Sequence, residues 1–448
     1  MSNLSLFDLL IKYNDALYRG NNTVSQFLEK HFEIYIKEYT TAISADKKRL
    51  SHYSLFEEET IKIDECSKSV LDILSDCQKN NYDSAKRKAF KLFDKHKKDF
   101  PIIKHQNARE LYHIRNSADF NLDDKKEMFH ISNNKKELIT AHRYNLSGEP
   151  CWYLSNDLYL CWLECGLPDI FCWCKIKTVS EKPLKLINFF RWNLDSLYLL
   201  KKDFFSSDKN KKNKATDEIL KYYTTYPIFA ACSLKVENRN AQFVEEYLFP
   251  QLFMSWIKSN NDFDGVAYST ELNTTLFKGK SHYGEPIFNI ALPTKCFNKD
   301  GYDISLANDF EMNSINKLQI TEEIFSEFNS VLDEAKLLIN DIYAFWATCN
   351  CSMSNIKTHR QILSICESII AISEMKNKKE NFLNIAYISI EIDRHIELID
   401  KICPCELVNR FSKMVSDKIF SLKNKFDNFF EITVSEKAGT ENSYSKIL

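Results

Sequence analysis

A carboxylate at the end of an apolar run is the first residue whose surroundings suggest chemistry. Residues 158–163 carry apolar side chains on every face and lead directly to Glu164. We predict a helix over about 156–165, and a helix that is apolar all round is buried. An ionised carboxylate in such a helix costs several kcal/mol unless it meets a cation, hydrogen-bond donors or a ligand. Glu164 therefore predicts either an internal salt bridge, for instance to Arg115 or Arg143, or a binding site.

Two arginines are the next candidates. Arg115 closes the segment ELYHIR, whose apolar alternation is typical of a short strand, and Arg143 stands just before the turn at Gly148. Arginines at strand ends can point into a common cleft, where a guanidinium places two donors on phosphate oxygens. Each such charge-assisted bond contributes about 1.5–3 kcal/mol. The pair predicts either a pyrophosphate clamp or two ordinary surface ion pairs.

An aromatic residue lies close enough to join the same site. Tyr153 precedes Glu164 by eleven residues, across one strand–turn–helix step, so its ring and the carboxylate can border one pocket. The face of the ring can stack on a flat heterocycle. Ordinary core packing explains this tyrosine equally well.

Several kinds of chemistry lack their motifs. The sequence contains no G-x-x-x-x-G-K-[ST], no G-x-G-x-x-G, no H-E-x-x-H and no G-x-S-x-G, which argues against P-loop ATPases, Rossmann dehydrogenases, zincins and α/β-hydrolases. Structural zinc sites usually space their cysteines as C-x₂₋₄-C. The chain instead has three C-x-C pairs, so we expect no metal site: Cys172/Cys174, Cys349/Cys351 and Cys403/Cys405.

The overall composition narrows the class further. The chain has 448 residues, 44% of them hydrophobic, and a formal net charge of −2. A dedicated nucleic-acid binder would carry clustered Lys and Arg in excess, so no nucleic-acid partner is expected. No apolar stretch is long enough to span a bilayer, and charged Asp8, Lys12 and Asp15 interrupt the start of the chain where a signal peptide needs an apolar run. We expect a cytoplasmic protein without a membrane partner.

The glycines and prolines divide the chain into three parts. Six of the eight glycines and seven of the nine prolines lie between residues 148 and 301. The flanks, poor in turn formers and rich in apolar residues at steps of three and four, are typical of helices. We predict three or four helices in an N-terminal region, 1–100, four in a C-terminal region, 315–432, and a flexible tail, 433–448.

The middle part has the pattern of a sheet-containing domain. Six strand-sized apolar runs are bounded by turn residues: 151–154, 170–176, 184–190, 228–236, 264–269 and 286–292. Two helices are predicted between them, one at 156–165 with Ser155 or Asn156 as N-cap and one at 241–259 interrupted by Pro250. The lysine-rich segment 201–218 indicates a solvated insertion loop. The predicted class is α+β, a central sheet domain flanked by all-α regions.

The order of these blocks resembles the RES family, named for its arginine, glutamate and serine. The resemblance rests on LYHIR (111–115), the stretch 128–164, FVEEYLFPQLFMSWI (243–257), FDGVAYST (263–270) and FNIALP (288–293). It covers about residues 105–300, under half of the chain. It implies a split β-sheet domain like that of ADP-ribosyltransferases, with NAD⁺ held in a cleft.

The resemblance also implies roles for individual residues. Arg115 and Arg143 match the two arginines that hold the dinucleotide, with Arg143 counted in the catalytic machinery as well. Tyr153 matches the tyrosine that faces the nicotinamide, and Glu164 matches the catalytic glutamate. The family's serine falls in a G-[IV]-x-Y-x-S pattern that reads here Gly265, Val266, Tyr268 and then Thr270, so Ser269 or Thr270 supplies the hydroxyl; Asn289 matches a late asparagine.

Many members of the family are toxins of bacterial toxin–antitoxin pairs. They destroy NAD⁺ by phosphorolysis or hydrolysis, or transfer ADP-ribose to a protein. The resemblance therefore implies an enzyme that cleaves the nicotinamide N-glycosidic bond of NAD⁺. Its candidate partners are phosphate, an antitoxin or regulatory protein, and a second copy of the chain. A role in phage defence is a further possibility that it leaves open. Two alternatives stay open: a protein ADP-ribosyltransferase, and a non-catalytic helical scaffold with a nucleotide-binding domain.

Overall fold

The computed structural model describes most of the chain up to residue 319 and the last five residues. The described residues are 5–319, with gaps at 14–16, 48–49, 51–52, 106–109, 117–120, 181, 190–193, 237, 239–240 and 271–286, together with 444–448 and the isolated positions 337, 340 and 417.

Helices and strands are both abundant in this part, which confirms the predicted α+β class. The helices are α1 (Leu6–Lys12), α2 (Val24–Asp46), α3 (Tyr53–Gln78), α4 (Tyr82–Lys95), α5 (Leu158–Glu164), α6 (Leu194–Phe204), α7 (Lys209–Cys232), α8 (Leu248–Ser259) and α9 (Ile304–Asp309). The strands are β1 (Ile102–His105), β2 (Glu110–Arg115), β3 (Cys151–Ser155), β4 (Ile170–Thr178), β5 (Leu184–Phe189), β6 (Gly265–Tyr268), β7 (Asn289–Pro293), β8 (Phe310–Met312), β9 (Asn316–Gln319) and β10 (Ser445–Lys446).

The strands form one mixed sheet. Its order is β1-β5-β6-β7-β3-β2-β4-β8-β10, and β9 also pairs with β4. Strands β5 and β6 are parallel, with Leu186 opposite Gly265, and the other described pairs are antiparallel. Helix α5 leads from the end of β3 towards β4, and α6 to α8 lie between β5 and β6 in the chain. A parallel pair needs such a crossover connection.

Side chains alternate between the two faces of the sheet and enter two different cores. Ile187, Val266 and Ala291 face a core that contains α1 to α4 and α6 to α8. Their neighbours Leu186 and Ala267 face a second core with β4, β8 and α9. This period of two is what a sheet buried on both faces produces. The N-terminal helices are thus packed into the same core as the helices of the middle part, and the chain changes from helix to strand between Lys95 and Ile102.

Two of the four N-terminal helices, α1 and α2, begin at capping side chains. Ser5 and Thr23 each form a capping box, in which the hydroxyl accepts from the third residue of the helix and that residue's side chain accepts from the cap. One face of α2 is buried, including Leu28, Phe32 and Tyr35, and packs against α3. The described residues of this region form four helices, in agreement with the predicted three or four.

The strand predicted at 228–236 is wrong. Residues up to Cys232 belong to α7, in which every residue from Tyr222 to Cys232 is buried. A segment buried on all sides loses the periodicity that separates a helix from a strand. Pro227 lies inside this helix, and no feature of the neighbouring sequence predicts that the helix continues through it.

The insertion loop predicted at 201–218 is also wrong. These residues form the end of α6 and the first turns of α7, separated by a short turn. Asp208 caps α7 and accepts from the amides of Asn210 and Lys211. Five of the six lysines in this segment are exposed and Lys212 is half-buried. The run of charges therefore belongs to the exposed surface of two helices and not to a loop.

The last residues are not a flexible tail. Ser445 and Lys446 pair with β8, and Ile447 is buried in the second core. Lys125 Nζ donates to the Ser445 hydroxyl at 2.7 Å. The prediction of a tail over 433–448 is therefore wrong for residues 444–448. The predicted helices of region 315–432 lie almost entirely outside the described residues, and residues 316–319 form β9.

None of the helices that the structure describes has both the length and the apolar character needed to cross a membrane.

Candidate functional site

A cavity of about 320 Å³ lies between β2, β3 and α5 and reaches β6 and β7. Four of the predicted site residues line it: Arg143, Tyr153, Glu164 and Asn289. The other lining residues are His113, Ile114, His142, Leu154, Cys161, Cys165, Tyr247 and Tyr268.

The cavity opens where β2 and β3 separate. Within the described residues β2 and β3 pair only at Tyr112 and Ser155, whereas β2 pairs with β4 along its whole length, from Glu110 to Arg115. In the gap, His113 Nδ1–H donates to the carbonyl oxygen of Tyr153 at 2.7 Å. Burial, together with the charge of Arg115, lowers the pKa of His113 to about 3. A neutral imidazole therefore joins the separated strands.

Glu164 is carried into the cavity by α5. Asp157 caps this helix by accepting from Leu160 N at 2.9 Å, so the predicted caps Ser155 and Asn156 are wrong, because Ser155 ends β3 and donates to Phe288 O. The half-buried carboxylate of Glu164 accepts a hydrogen bond through Oε1 from Asn289 Nδ2 at 3.0 Å.

Asn289 is placed by the sheet itself. It is the buried first residue of β7 and stands opposite Ser155 on one side and Tyr268 on the other. A side-chain amide on a central strand has little freedom to move. Glu164 is thus held at a fixed place on the cavity wall by a charge-assisted hydrogen bond.

Tyr153 is held in place through its hydroxyl group. Its hydroxyl donates to Asn145 Oδ1 at 2.8 Å and accepts from Tyr144 N at 3.3 Å. Burial raises the pKa of Tyr153 well above its usual value. The ring also makes an edge contact with His142, with centroids 5.9 Å apart. It is a neutral, rigid aromatic wall.

Arg143 is buried and anchored to the end of α7. Nη1 donates to Cys232 O and Nη2 to Leu234 O, both at 2.9 Å. Its guanidinium carbon lies 5.7 Å from the centre of the Tyr247 ring. The positive charge lies at the cavity wall in a position set by backbone carbonyls at a helix C-terminus, where cations are favoured.

Arg115 does not line the cavity, unlike Arg143. Its Nη2 donates to Phe129 O at 2.5 Å, on the side of the sheet with Leu111. Burial lowers the pKa of its guanidinium, which nevertheless remains a cation. Of the two predicted arginines, the lining of the cavity includes Arg143; the charge of Arg115 is close enough to lower the pKa of His113, which also lines the cavity.

The two hydroxyl candidates follow β6 directly. Ser269 is half-buried and Thr270 is buried, and neither lines the cavity. Strand β6, which precedes them, begins with Gly265 because there is no room for a side chain at this position. A Cβ at Gly265 would stand 2.3 Å from Ala291 O on β7. The choice between Ser269 and Thr270 stays a prediction.

Sequence reasoning missed several residues of the cavity wall. Tyr268 belongs to the G-[IV]-x-Y-x-S pattern, so that pattern contained a signal for it. Burial and the charge of Glu164 raise the pKa of Tyr268 well above its usual value. His113 could have been found as the residue two positions before Arg115 on the same strand. Tyr247 lies in the block 243–257 that contributes to the resemblance, but it was not singled out there; in the structure it ends a 3₁₀ turn at residues 245–247, just before α8.

One known protein is similar to part of this chain. The "Putative toxin YopC" of Bacillus subtilis (strain 168) is 26% identical over 192 residues, which make up 42% of this chain and 42% of that protein. No family model and no solved structure matches the chain. The matched segment spans less than half the length of the relative.

Proposed function

We propose that the cavity binds NAD⁺ and that the protein cleaves the bond between nicotinamide and ribose. The observation that carries the proposal is the arrangement of Glu164. Its carboxylate is fixed by Asn289 and shares one cavity with the cation Arg143 and the rigid ring of Tyr153. These are the residue types, at the places along the chain, that the resemblance to the RES family implies.

The lining of the cavity suits a flat cationic ring. Tyr153, Tyr247 and Tyr268 contribute aromatic faces, which attract a ring that carries positive charge, as nicotinamide does in NAD⁺. The volume of about 320 Å³ is near the lower end of the range for small-molecule pockets. We therefore expect the cavity to enclose the nicotinamide and its ribose, with the rest of the dinucleotide at the mouth.

The proposed reaction breaks one carbon–nitrogen bond. The electron pair of the bond between ribose C1′ and nicotinamide N1 goes to the ring, which leaves neutral, while positive charge grows on the sugar. The fixed carboxylate of Glu164 stabilises that charge, and a preorganised group needs no rearrangement when the charge appears. An oxygen of phosphate or of water then bonds to C1′, and water loses a proton in doing so.

Arg143 contributes charge and position in this proposal. Its two described hydrogen bonds go to backbone carbonyls, so its part is a positive potential at the cavity wall that attracts the anionic dinucleotide. A direct role of Arg115 in holding the dinucleotide stays a prediction of the resemblance.

A direct test is to incubate the purified full chain with NAD⁺, with and without phosphate, and to measure free nicotinamide. ADP-ribose 1″-phosphate as the product indicates phosphorolysis, ADP-ribose indicates hydrolysis, and label transferred from NAD⁺ to protein indicates the ADP-ribosyltransferase alternative. NAD⁺ that stays intact in vitro, and at a normal level in cells that express the protein, refutes the proposal.

We further propose that the activity arrests bacterial growth and is held in check by an antitoxin or regulatory partner. The similarity to a protein named a toxin supports this. Induced expression in a bacterium should stop growth and deplete NAD⁺ together. Growth arrest with normal NAD⁺ levels would instead favour the scaffold alternative, in which the chain acts by binding a partner.

A further inference from the structure

Two short segments between α7 and α8 support the cavity wall, and both are held by residues of the N-terminal region. The first segment contains Leu234, whose carbonyl accepts from Arg143. Leu234 also forms a β-bridge with Leu17, and Lys235 N donates to Leu17 O at 2.8 Å. The backbone that anchors Arg143 is thus paired with the strand-like stretch that follows α1.

The second segment is the 3₁₀ turn at residues 245–247. Glu246 is buried and accepts from Arg19 Nε at 2.7 Å. The neighbouring Glu245 lies 3.9 Å from Arg19 Nη1. The next residue, Tyr247, lines the cavity and faces the guanidinium of Arg143.

Glu245 ties the same turn to two further helices. Its Oε2 accepts from Val24 N at 3.1 Å, at the positive N-terminal end of α2. Its Oε1 accepts from Gln78 Nε2 at 3.0 Å, at the end of α3. Three N-terminal elements therefore meet at one turn of the cavity wall.

We propose that the N-terminal helical region helps to form the site and that Arg19 is its positioning residue. Through Glu246, Arg19 holds Tyr247 in place against Arg143. A buried carboxylate that loses its only described cationic partner is strongly disfavoured. Without Arg19, the turn has to move until Glu246 reaches water. Tyr247 is the next residue, so its ring moves with the turn and leaves Arg143.

The other half of the site is independent of this link. Glu164 lies on α5, which packs on β2 and β3, and its partner Asn289 lies on β7. Loss of Arg19 should therefore weaken substrate binding and leave the chemical step nearly unchanged. The expected change in KM rests on the proposed function. The expected change in the structure of the cavity wall does not.

The experiment compares Arg19→Ala, Arg19→Lys and a matched control, Lys12→Ala. Lys12 forms an ion pair with Glu38 in the same helical region, away from the turn. For nicotinamide release, Arg19→Ala should raise KM at least about fivefold and leave kcat within about twofold of the wild type. Arg19→Lys should recover most of the affinity, and Lys12→Ala should change neither constant.

Hydrogen exchange supplies the readout that does not need activity. In Arg19→Ala, amides of residues 141–146 and 243–250 should exchange faster than in the wild type, whereas Lys12→Ala should leave both segments protected. If Arg19→Ala does not fold, the double variant Arg19→Ala/Glu246→Gln removes the stranded charge without restoring the hydrogen bond between residues 19 and 246. The same two segments should then exchange faster than in the wild type and KM should rise, both by less than in Arg19→Ala.

Three results would overturn the inference. An unchanged KM in folded Arg19→Ala is one. A fall in kcat and in melting temperature that Lys12→Ala shows as well is another. The third is faster exchange confined to residues 17–24. If the wild type releases no nicotinamide, the proposed function fails, and the exchange data alone decide whether Arg19 positions the wall.

Discussion

Replacing Glu164 by glutamine removes one negative charge from the cavity and almost nothing else. The side chain keeps its length, and the amide oxygen can still accept from Asn289 Nδ2, which lies 3.0 Å from Oε1. A hydrogen bond to a charged acceptor contributes about 1.5–3 kcal/mol and a neutral one about 0.5–1.5 kcal/mol. The variant should therefore be destabilised by only about 1 kcal/mol and remain folded.

The catalytic loss should be much larger than the loss of stability. Removing a preorganised group that faces developing charge typically costs about 10²–10³ in kcat, or about 2.7–4 kcal/mol. We expect Glu164→Gln to release nicotinamide from NAD⁺ slower by this factor and to relieve growth arrest on expression, while it still binds NAD⁺.

A surface glutamate supplies the control for this measurement. Glu149 pairs loosely with Lys258 at 4.0 Å, and Glu149→Gln should leave kcat and growth arrest unchanged. A Glu164→Gln variant with wild-type kcat would refute the assignment of the carboxylate, because no other described change accompanies the substitution.

Three further predictions concern stability. In Gly265→Ala the new Cβ meets Ala291 O, so thermal unfolding should show a loss of about 1–3 kcal/mol or more, and an unchanged melting temperature would contradict the β6–β7 packing. Tyr153→Phe strands Asn145 Oδ1 and should cost about 1–3 kcal/mol in urea unfolding; a loss below about 0.5 kcal/mol would argue against this hydrogen bond. The pKa of His113 is about 3 in the folded protein, against 6.5 as its ordinary value, so the unfolded chain binds a proton first as the pH falls. The free energy of unfolding should thus be independent of His113 above pH 6.5 and fall below it by up to about 1.4 kcal/mol per pH unit down to pH 3, a dependence that His113→Gln should remove.

The sequence allowed the central sheet to be predicted well because most of its strands are short apolar runs between turn residues. The run at 170–176 corresponds to β4 and the run at 184–190 to β5. The end of α7 was predicted as a strand because it is also an apolar run. A buried helix rich in aromatic and small apolar residues has no polar face that would reveal the helical period.

The candidate site was predictable where a residue is placed by its own element. Glu164 follows a buried helix, and Tyr153 lies on the strand before it, so their approach to one cavity was a local inference. Arg115 was harder, because the side of a strand on which a residue falls depends on pairing with β4. The carbonyl partners of Arg143 lie at the end of α7, far along the chain, and nothing in the local sequence marks them.

Strand β8 is synthesised long before β10, the strand with which it pairs. Residues 313–444 lie between these strands in the chain, so the ribosome releases β8 long before its partner. Until residue 446 has emerged, β8 leaves an open edge with unpaired amides and carbonyls, which invites strand addition from other chains. Products that end before residue 445 therefore lack the strand that pairs with Glu311 and Met312 of β8, and they should aggregate or be degraded more readily than the longer chain.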